Sequence, residues 1–283
     1  MDNRNTSFEI GEIQCVLVSD GHFEPPGNSA NILFSNAPPE ALEAERRIHN
    51  IDKVSPYSGM LVRTNGRVVL IDTGAGRRHP TAGKLLDNLK VKGVSPNDID
   101  TVVLTHAHPD HIGGSAHDNG DPVFKRARYI ISEVEWNFWH SDEETTRITN
   151  ERMRERHVRV ARTAMTAIEP QTELVSGEFE VAPGVSVIPA TGHTPGHMAV
   201  VIASGGVEML DVADAVLHPI HIARPEWYAL VDIIPDEMVT TRRQLLAQAA
   251  QSGALVRAYH FPWPGLGHVI EADRQWSWRP EVP

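Results

Sequence analysis

Thr105-His106-Ala107-His108-Pro109-Asp110-His111-Ile112-Gly113-Gly114 is the stretch on which the fold turns, and it follows directly on the apolar run Val102-Val103-Leu104. Three imidazoles and a carboxylate fall between positions 106 and 111. Imidazole and carboxylate are groups that divalent zinc, iron, manganese and cobalt accept as ligands. Without a cation such a cluster is costly, because neutral rings compete for partners and protonated ones repel. The stretch therefore reads as the first half of a two-metal hydrolytic site. The apolar run before it reads as a buried strand, and the carboxyl end of a strand is where open α/β sheets hold ligands.

Working outward, residues 58–65 and 67–72 form two strands joined at Asn65-Gly66, the dipeptide of a tight hairpin, and the second ends in Asp72-Thr73-Gly74. Residues 80–92 carry Leu85, Leu86 and Leu89 on one helical face, and Ser95-Pro96 starts a short helix before a strand at 100–104. Downstream come a strand at 129–131, a helix at 133–139 with Trp136, Phe138 and Trp139, and one long helix over 142–168. The arginines of that helix, at 152, 154, 156, 159 and 162, interleave with Glu151 and Glu155 and read as a solvated face.

A strand at 185–189 leads into Ala190-Thr191-Gly192-His193-Thr194-Pro195-Gly196-His197. Strands at 199–203 and 207–210 flank Gly205-Gly206, and the second runs into Asp211-Val212-Ala213-Asp214. A helix at 235–252 and a strand at 255–259 end the pattern at His260. Ahead of all this, residues 8–19 read as one strand, and a segment from about 23 to 56 is irregular, with a short helix starting at Pro39. A segment that long serves either the site or an oligomer contact, so a homodimer is expected. Each half repeats the order of strands, a metal-type residue at a strand end, then a helix. The expected fold is α/β: an αββα sandwich of two mixed β-sheets flanked by helices, one domain over 1–283, with a helical insert at about 133–168 near the site.

The bulk composition narrows the function. A chain of 283 residues with 41% hydrophobic and 22% charged residues is that of an ordinary globular protein. A formal net charge of -11 argues against a nucleic-acid partner, whose phosphates require neutralising cations. The single cysteine, Cys15, rules out intramolecular disulfides and thiolate zinc sites. No apolar run is long enough to span a bilayer and the first residues are polar, so a cytoplasmic protein with no membrane partner is expected.

The candidate ligands, each placed after a strand-like run, are His106, His108, Asp110, His111, His193, Asp214 and His260. This set resembles the metallo-β-lactamase superfamily, whose signature is His-x-His-x-Asp-His followed by a later His, Asp and His. The spacing of the later ligands and the ending His260-Phe-Pro-Trp-Pro-Gly-Leu-Gly-His268 resemble its methyl parathion hydrolase-like branch, and quorum-quenching lactonases share the ligand set.

The resemblance implies one metal on His106, His108 and His193 and another on Asp110, His111 and His260. Asp214 and a hydroxide would bridge them, and Asp72 would orient a ligand histidine. Zinc is the first expectation, with iron, manganese or cobalt as alternatives. Asp110 and Asp214 are the catalytic carboxylates, Asp110 relaying a proton to the leaving group. Trp139 and Leu217 are placed at the substrate pocket by the same resemblance, with Phe23, Phe261 and Trp263 as further wall candidates. A small, neutral, apolar lactone or ester is the expected substrate. Phosphotriester hydrolysis is the alternative, because Leu217 stands where simpler lactonases carry a tyrosine. A β-lactamase or thioester hydrolase uses the same centre.

Overall fold

A computed structural model describes residues 5–24, 29–49, 51, 55–78 and 80–281. Two seven-stranded sheets pack face to face. The first holds, in spatial and chain order, β1 (Asn5–Ile10), β2 (Ile13–Phe23), β3 (Ser55–Thr64), β4 (Arg67–Ile71), β5 (Thr101–Val103), β6 (Arg128–Ser132) and β7 (Thr172–Val175). The second holds β8 (Phe179–Ala182), β9 (Val185–Pro189), β10 (Met198–Ser204), β11 (Val207–Asp211), β12 (Leu255–Arg257), β13 (Leu266–Ala272) and β14 (Gln275–Pro280). The helices are α1 (Ser29–Leu33), α2 (Pro39–Ile48), α3 (Leu85–Val91), α4 (Pro109–Ile112), α5 (Glu133–His140), α6 (Asp142–Thr145), α7 (Glu151–Ile168), α8 (Ile220–Ala223) and α9 (Pro235–Ser252).

Period-two alternation decides what each strand face meets. Along β3 to β6, Met60, Val62, Val69, Ile71, Val103 and Ile130 point inward to the second sheet, where Val187, Met198, Val200 and Met209 meet them. The intervening Leu61, Leu70, Val102, Tyr129 and Ile131 pack outward on Leu85 and Leu89 of α3 and on Ala164, Met165 and Ile168 of α7. The far face of the second sheet sets Ala199 and Leu210 against Met238, Leu245 and Ala249 of α9. Both faces are covered, so these strands read as unbroken apolar runs. Each fully buried aliphatic side chain contributes about 2 kcal/mol. The expected αββα sandwich of two mixed sheets is the architecture found.

Strand direction then assembles the site. β4, β5, β6 and β7 are mutually parallel. In the other sheet β9 and β11 both run antiparallel to β10, and β12 is parallel to β11, so these three end at one edge. The backbone N–H of Met198, at the start of β10, donates to the carbonyl of Thr105 at 2.9 Å and ties the two edges together.

Several boundaries differ from the sequence reading. The strand expected at 8–19 is two strands, β1 and β2, around a turn at Gly11-Glu12. The long helix expected over 142–168 is broken: the Ser141 side chain caps α6, and Asn150 caps α7 by accepting from Met153 N at 3.0 Å. Of the segment read as irregular, residues 25–28, 50 and 52–54 lie outside the described residues, while α1 and α2 occupy part of the remainder. The β13–β14 hairpin turns at Asp273-Arg274, both at positive φ (52° and 62°), with neither the asparagine nor the glycine that marks such turns.

Candidate metal centre

Five loops deliver the site. Asp72 follows β4, residues 105–111 follow β5, His193 follows β9, Asp214 follows β11 and His260 follows β12. Two of these loops hold non-glycine residues in the left-handed region, Asp72 (φ 58°) and Ala213 (φ 42°). Such conformations cost energy and persist where surrounding structure requires them.

The side chains converge in two groups, His106, His108, His193 and Asp214 in one, Asp110, His111 and His260 in the other, with each group's ligand atoms within 4.8 Å of one another. Asp214 faces both groups. Its Oδ2 lies 3.2 Å from His193 Nε2, 3.3 Å from His260 Nε2 and 3.7 Å from His106 Nε2, and its Oδ1 lies 3.2 Å from His111 Nε2. Asp110 Oδ2 is 3.4 Å from His260 Nε2.

Nitrogens facing away from these groups are held by neighbours. His111 Nδ1 is 2.7 Å from Asp72 Oδ2, and Asp72 Oδ1 accepts the backbone N–H of Thr105 at 2.9 Å. His193 Nδ1 is 2.7 Å from Asp232 Oδ1, and His260 Nδ1 is 2.9 Å from Ser55 Oγ. Bonds of this kind fix ring orientation and turn the opposite nitrogen toward the centre, where His193 Nε2 meets His108 Nδ1 at 2.9 Å and His260 Nε2 meets Asp214 Oδ2 at 3.3 Å.

Two observations fit a divalent metal. Nε2 of His106, Nε2 of His111 and Oδ1 of Asp214 are buried with no hydrogen-bond partner among the described residues. Buried polar atoms without partners are uncommon and costly, and these three face one another across the centre. The charge balance agrees. Burial, with His111 beside one ring and His193 beside the other, holds His106 and His108 well below the ordinary histidine range, in the neutral form a metal requires. Burial also opposes a proton on His111, yet Asp214, Asp72 and Asp110 outweigh it and raise that ring well above its ordinary range. The carboxylates thus demand positive charge between the rings, which a cation supplies.

Further residues brace the loops. Glu135 of α5 is fully buried and accepts from Ala107 N (2.9 Å), Trp139 Nε1 (2.7 Å), Thr194 Oγ1 (2.6 Å) and Gly196 N (3.0 Å), clamping two ligand loops together. Arg242 of α9, also buried, donates to the carbonyls of Ala215 (2.7 Å) and Trp227 and lies 3.8 Å from Asp232. The Tyr259 hydroxyl donates to the Asp110 carbonyl at 2.7 Å, and its ring lies 4.0 Å from His111. Asp232, between the apolar Val231 and Ile233, was the most detectable of these from sequence; Glu135 looks like any helix-start glutamate.

Above the centre opens a cavity of about 590 Å³. Phe23 and Leu217 line it, with Tyr57, Asp110, Asp214 and His260. Trp139, Phe261 and Trp263 are not among its lining residues, which corrects the wall expected from sequence. Trp139 is fully buried behind His108, its ring 5.7 Å away and its indole N–H bonded to Glu135. Phe261 packs on Trp278 in the outer core, and the Trp263 indole N–H donates to Thr6 Oγ1 at 3.2 Å. All three rings satisfy core packing.

Residues 53–266 match the family model described as the metallo-beta-lactamase superfamily, and the chain belongs to that superfamily. Among curated proteins, a probable metallo-hydrolase of Methanocaldococcus jannaschii is 31% identical over 29% of this chain and 44% of its own length. An N-acyl homoserine lactonase of a Bacillus species is 28% identical over 42% of this chain and 39% of its own. The chain thus spans less than half the length of these relatives. Among solved structures, AidC, a dizinc quorum-quenching lactonase in complex with the product N-hexanoyl-L-homoserine, superposes with a TM-score of 0.90 at 26% identity, covering 98% of this chain and 97% of that one. Among the described residues, no helix is long and apolar enough to cross a membrane.

Proposed function

We propose that the protein is a metal-dependent hydrolase that opens lactones of the acyl-homoserine type or cleaves related carboxylic esters. The observation that carries this reading is a pair of His/Asp groups meeting at Asp214 beneath a cavity of small-molecule size. His106, His108 and His193 would hold one divalent ion and Asp110, His111 and His260 a second, with Asp214 between them and zinc the first candidate. When bound, such cations supply Lewis acidity, polarising a carbonyl and lowering the pKa of water.

The chain's own groups do the remaining work. Phe23, Ile32, Leu33 and Leu217 offer an apolar wall for an acyl chain. The Tyr57 hydroxyl makes no hydrogen bond among the described residues, and its ring lies 5.9 Å from that of His260. Burial, then the neighbouring Asp110, raise its pKa, so it remains a donor able to bond the substrate's carbonyl oxygen. Asp110 lines the cavity, and in this reading it would pass a proton to the leaving alkoxide as the acyl–oxygen bond breaks. Because β2 and α1 contribute to the cavity wall, the catalytic unit includes residues ahead of the family match.

The test is turnover of N-hexanoyl-homoserine lactone, 4-nitrophenyl butyrate and diethyl 4-nitrophenyl phosphate by zinc-loaded protein. Lactone or carboxylic-ester hydrolysis is expected, with kcat lower by about tenfold in Tyr57→Phe, the worth of one ordinary hydrogen bond, and lost with the metal in His106→Ala. Turnover of none of the three refutes the reading. Turnover of the phosphate alone selects the phosphotriesterase reading, which the apolar Leu217 in the cavity wall favours.

A further inference from the structure

Four of the five arginines of α7 divide into two kinds, while Arg159 is exposed and outside the cavity lining. Arg154 lies 3.8 Å from Glu151, and Arg162 lies 2.7 Å from Asp142. Arg152 and Arg156 make no hydrogen bond or ion pair among the described residues, and both line the cavity above the His/Asp centre. They stand four residues apart, the interval that stacks side chains on one helix face.

The surroundings make this pair selective. Much of the cavity wall is apolar, with Phe23, Ile32, Leu33, Ile51, Leu217 and Val231 contributing to it. The carboxylates among its described lining residues, Asp110 and Asp214, belong to the His/Asp groups and face histidines. On a chain of formal net charge -11, two guanidinium groups in one cleft with no ion-pair partner among the described residues form a local positive field that draws in anions. A guanidinium presents a planar fork of N–H donors matched to a carboxylate, and two of them four residues apart can engage one carboxylate together.

We propose that Arg152 and Arg156 form an anion subsite, and that the ester or lactone taken here carries a carboxylate on its acyl portion, remote from the bond that is hydrolysed. The inference rests on the hydrolase reading of the His/Asp centre. It changes the expected substrate from a neutral apolar molecule to an amphiphile: an aliphatic stretch for the apolar wall, ending in an anion at the start of α7.

Two matched probes test it, mono-4-nitrophenyl adipate, which carries a free carboxylate, and its methyl ester. For the zinc-loaded native protein, kcat/KM should favour the acid by about tenfold, mainly through KM, and the preference should shrink as salt rises from low to high ionic strength. In the Arg152→Gln/Arg156→Gln double variant the ratio should fall to about one, and in Arg152→Glu/Arg156→Glu it should invert, since a like charge repels the acid. Equal kcat/KM for acid and methyl ester in the native protein, or a preference that survives the double variant, overturns the subsite.

Calorimetric titration of monomethyl adipate separates this from failure of the hydrolase reading. Binding to native protein that is lost in the double variant, with neither ester turned over, upholds the subsite and removes the hydrolase. Turnover of both esters without discrimination, and no such binding, does the reverse.

Discussion

Asp232 offers the sharpest test of how the centre is held. Its Oδ1 is 2.7 Å from His193 Nδ1, its Oδ2 accepts the backbone N–H of Ala229 at 2.8 Å, and Arg242 stands 3.8 Å away. In Asp232→Asn the shape is kept but one oxygen becomes an amide N–H2. Whichever way the amide turns, either the His193 ring or the Ala229 N–H faces a donor. Leaving one buried donor unpaired costs about 1–3 kcal/mol. The buried Arg242 also loses its countercharge, although at 3.8 Å that contact is long, so the lower part of the 3–5 kcal/mol range for a broken buried pair applies and a total loss of about 4 kcal/mol is expected.

Metal binding should suffer separately, because His193 is no longer held in the tautomer that offers Nε2. Loss of such an outer partner costs about 10–100-fold in affinity. The assay is zinc content after equilibration with a graded chelator series, alongside urea unfolding of the stripped protein. One ion of two should leave at a chelator strength that strips neither from the native protein. Asp20→Asn is the control, since Asp20 is equally buried but bonds Ala75 N (2.8 Å) and Leu85 N (2.9 Å), away from the ligands. The reasoning fails if Asp232→Asn retains both ions at native affinity, or if Asp20→Asn loses one as readily.

Asp20 also carries a pH signature. Burial pushes its carboxyl up to about 6 from 3.8, against bonds from Leu85, Ala75, Gly83 and Lys84 that lower it. A raised acid contributes stability below the unfolded value that is lost as pH rises through the folded one. From pH 4 to 6 this group should cost the native protein about 2 kcal/mol, a fall absent in Asp20→Asn and readable as a difference between urea unfolding curves. The Cys15 thiol is buried and pushed up to about 12, so Ellman's reagent at pH 8 should leave native protein unlabelled and react with one thiol per chain in guanidinium. Gly196→Ala sets a Cβ 2.1 Å from Glu135 N and 2.6 Å from its Cα. Backbone must shift on both sides of the Glu135 clamp, so a loss of about 2–3 kcal/mol and weakened zinc retention through His193 are expected.

The legible part of this molecule was local. Val102-Val103-Leu104 running into His106, and Leu210 running into Asp214, announce a buried strand and then a candidate ligand, so strands, layers and the loops carrying the candidate ligands could be read from period and spacing. What stayed hidden depends on partners distant in the chain. Glu135 becomes a clamp only because Ala107 and Gly196 fold onto it, and Asp232 acquires its role from His193. Resemblance puts Trp139 in the wall, whereas packing against His108 and a bond to Glu135 bury it. The arginines of α7 looked uniform until tertiary structure paired Arg162 with Asp142 and left Arg152 and Arg156 at the cavity.

The most direct test of the whole account is a zinc titration of chelator-stripped protein, with ring opening of N-hexanoyl-homoserine lactone followed at each addition. The account predicts negligible turnover without zinc and a rise that breaks at two equivalents per chain. In His106→Ala the break should be lost together with the activity. Full turnover by stripped protein, or two tightly bound ions with no hydrolysis of any lactone or ester, would contradict it.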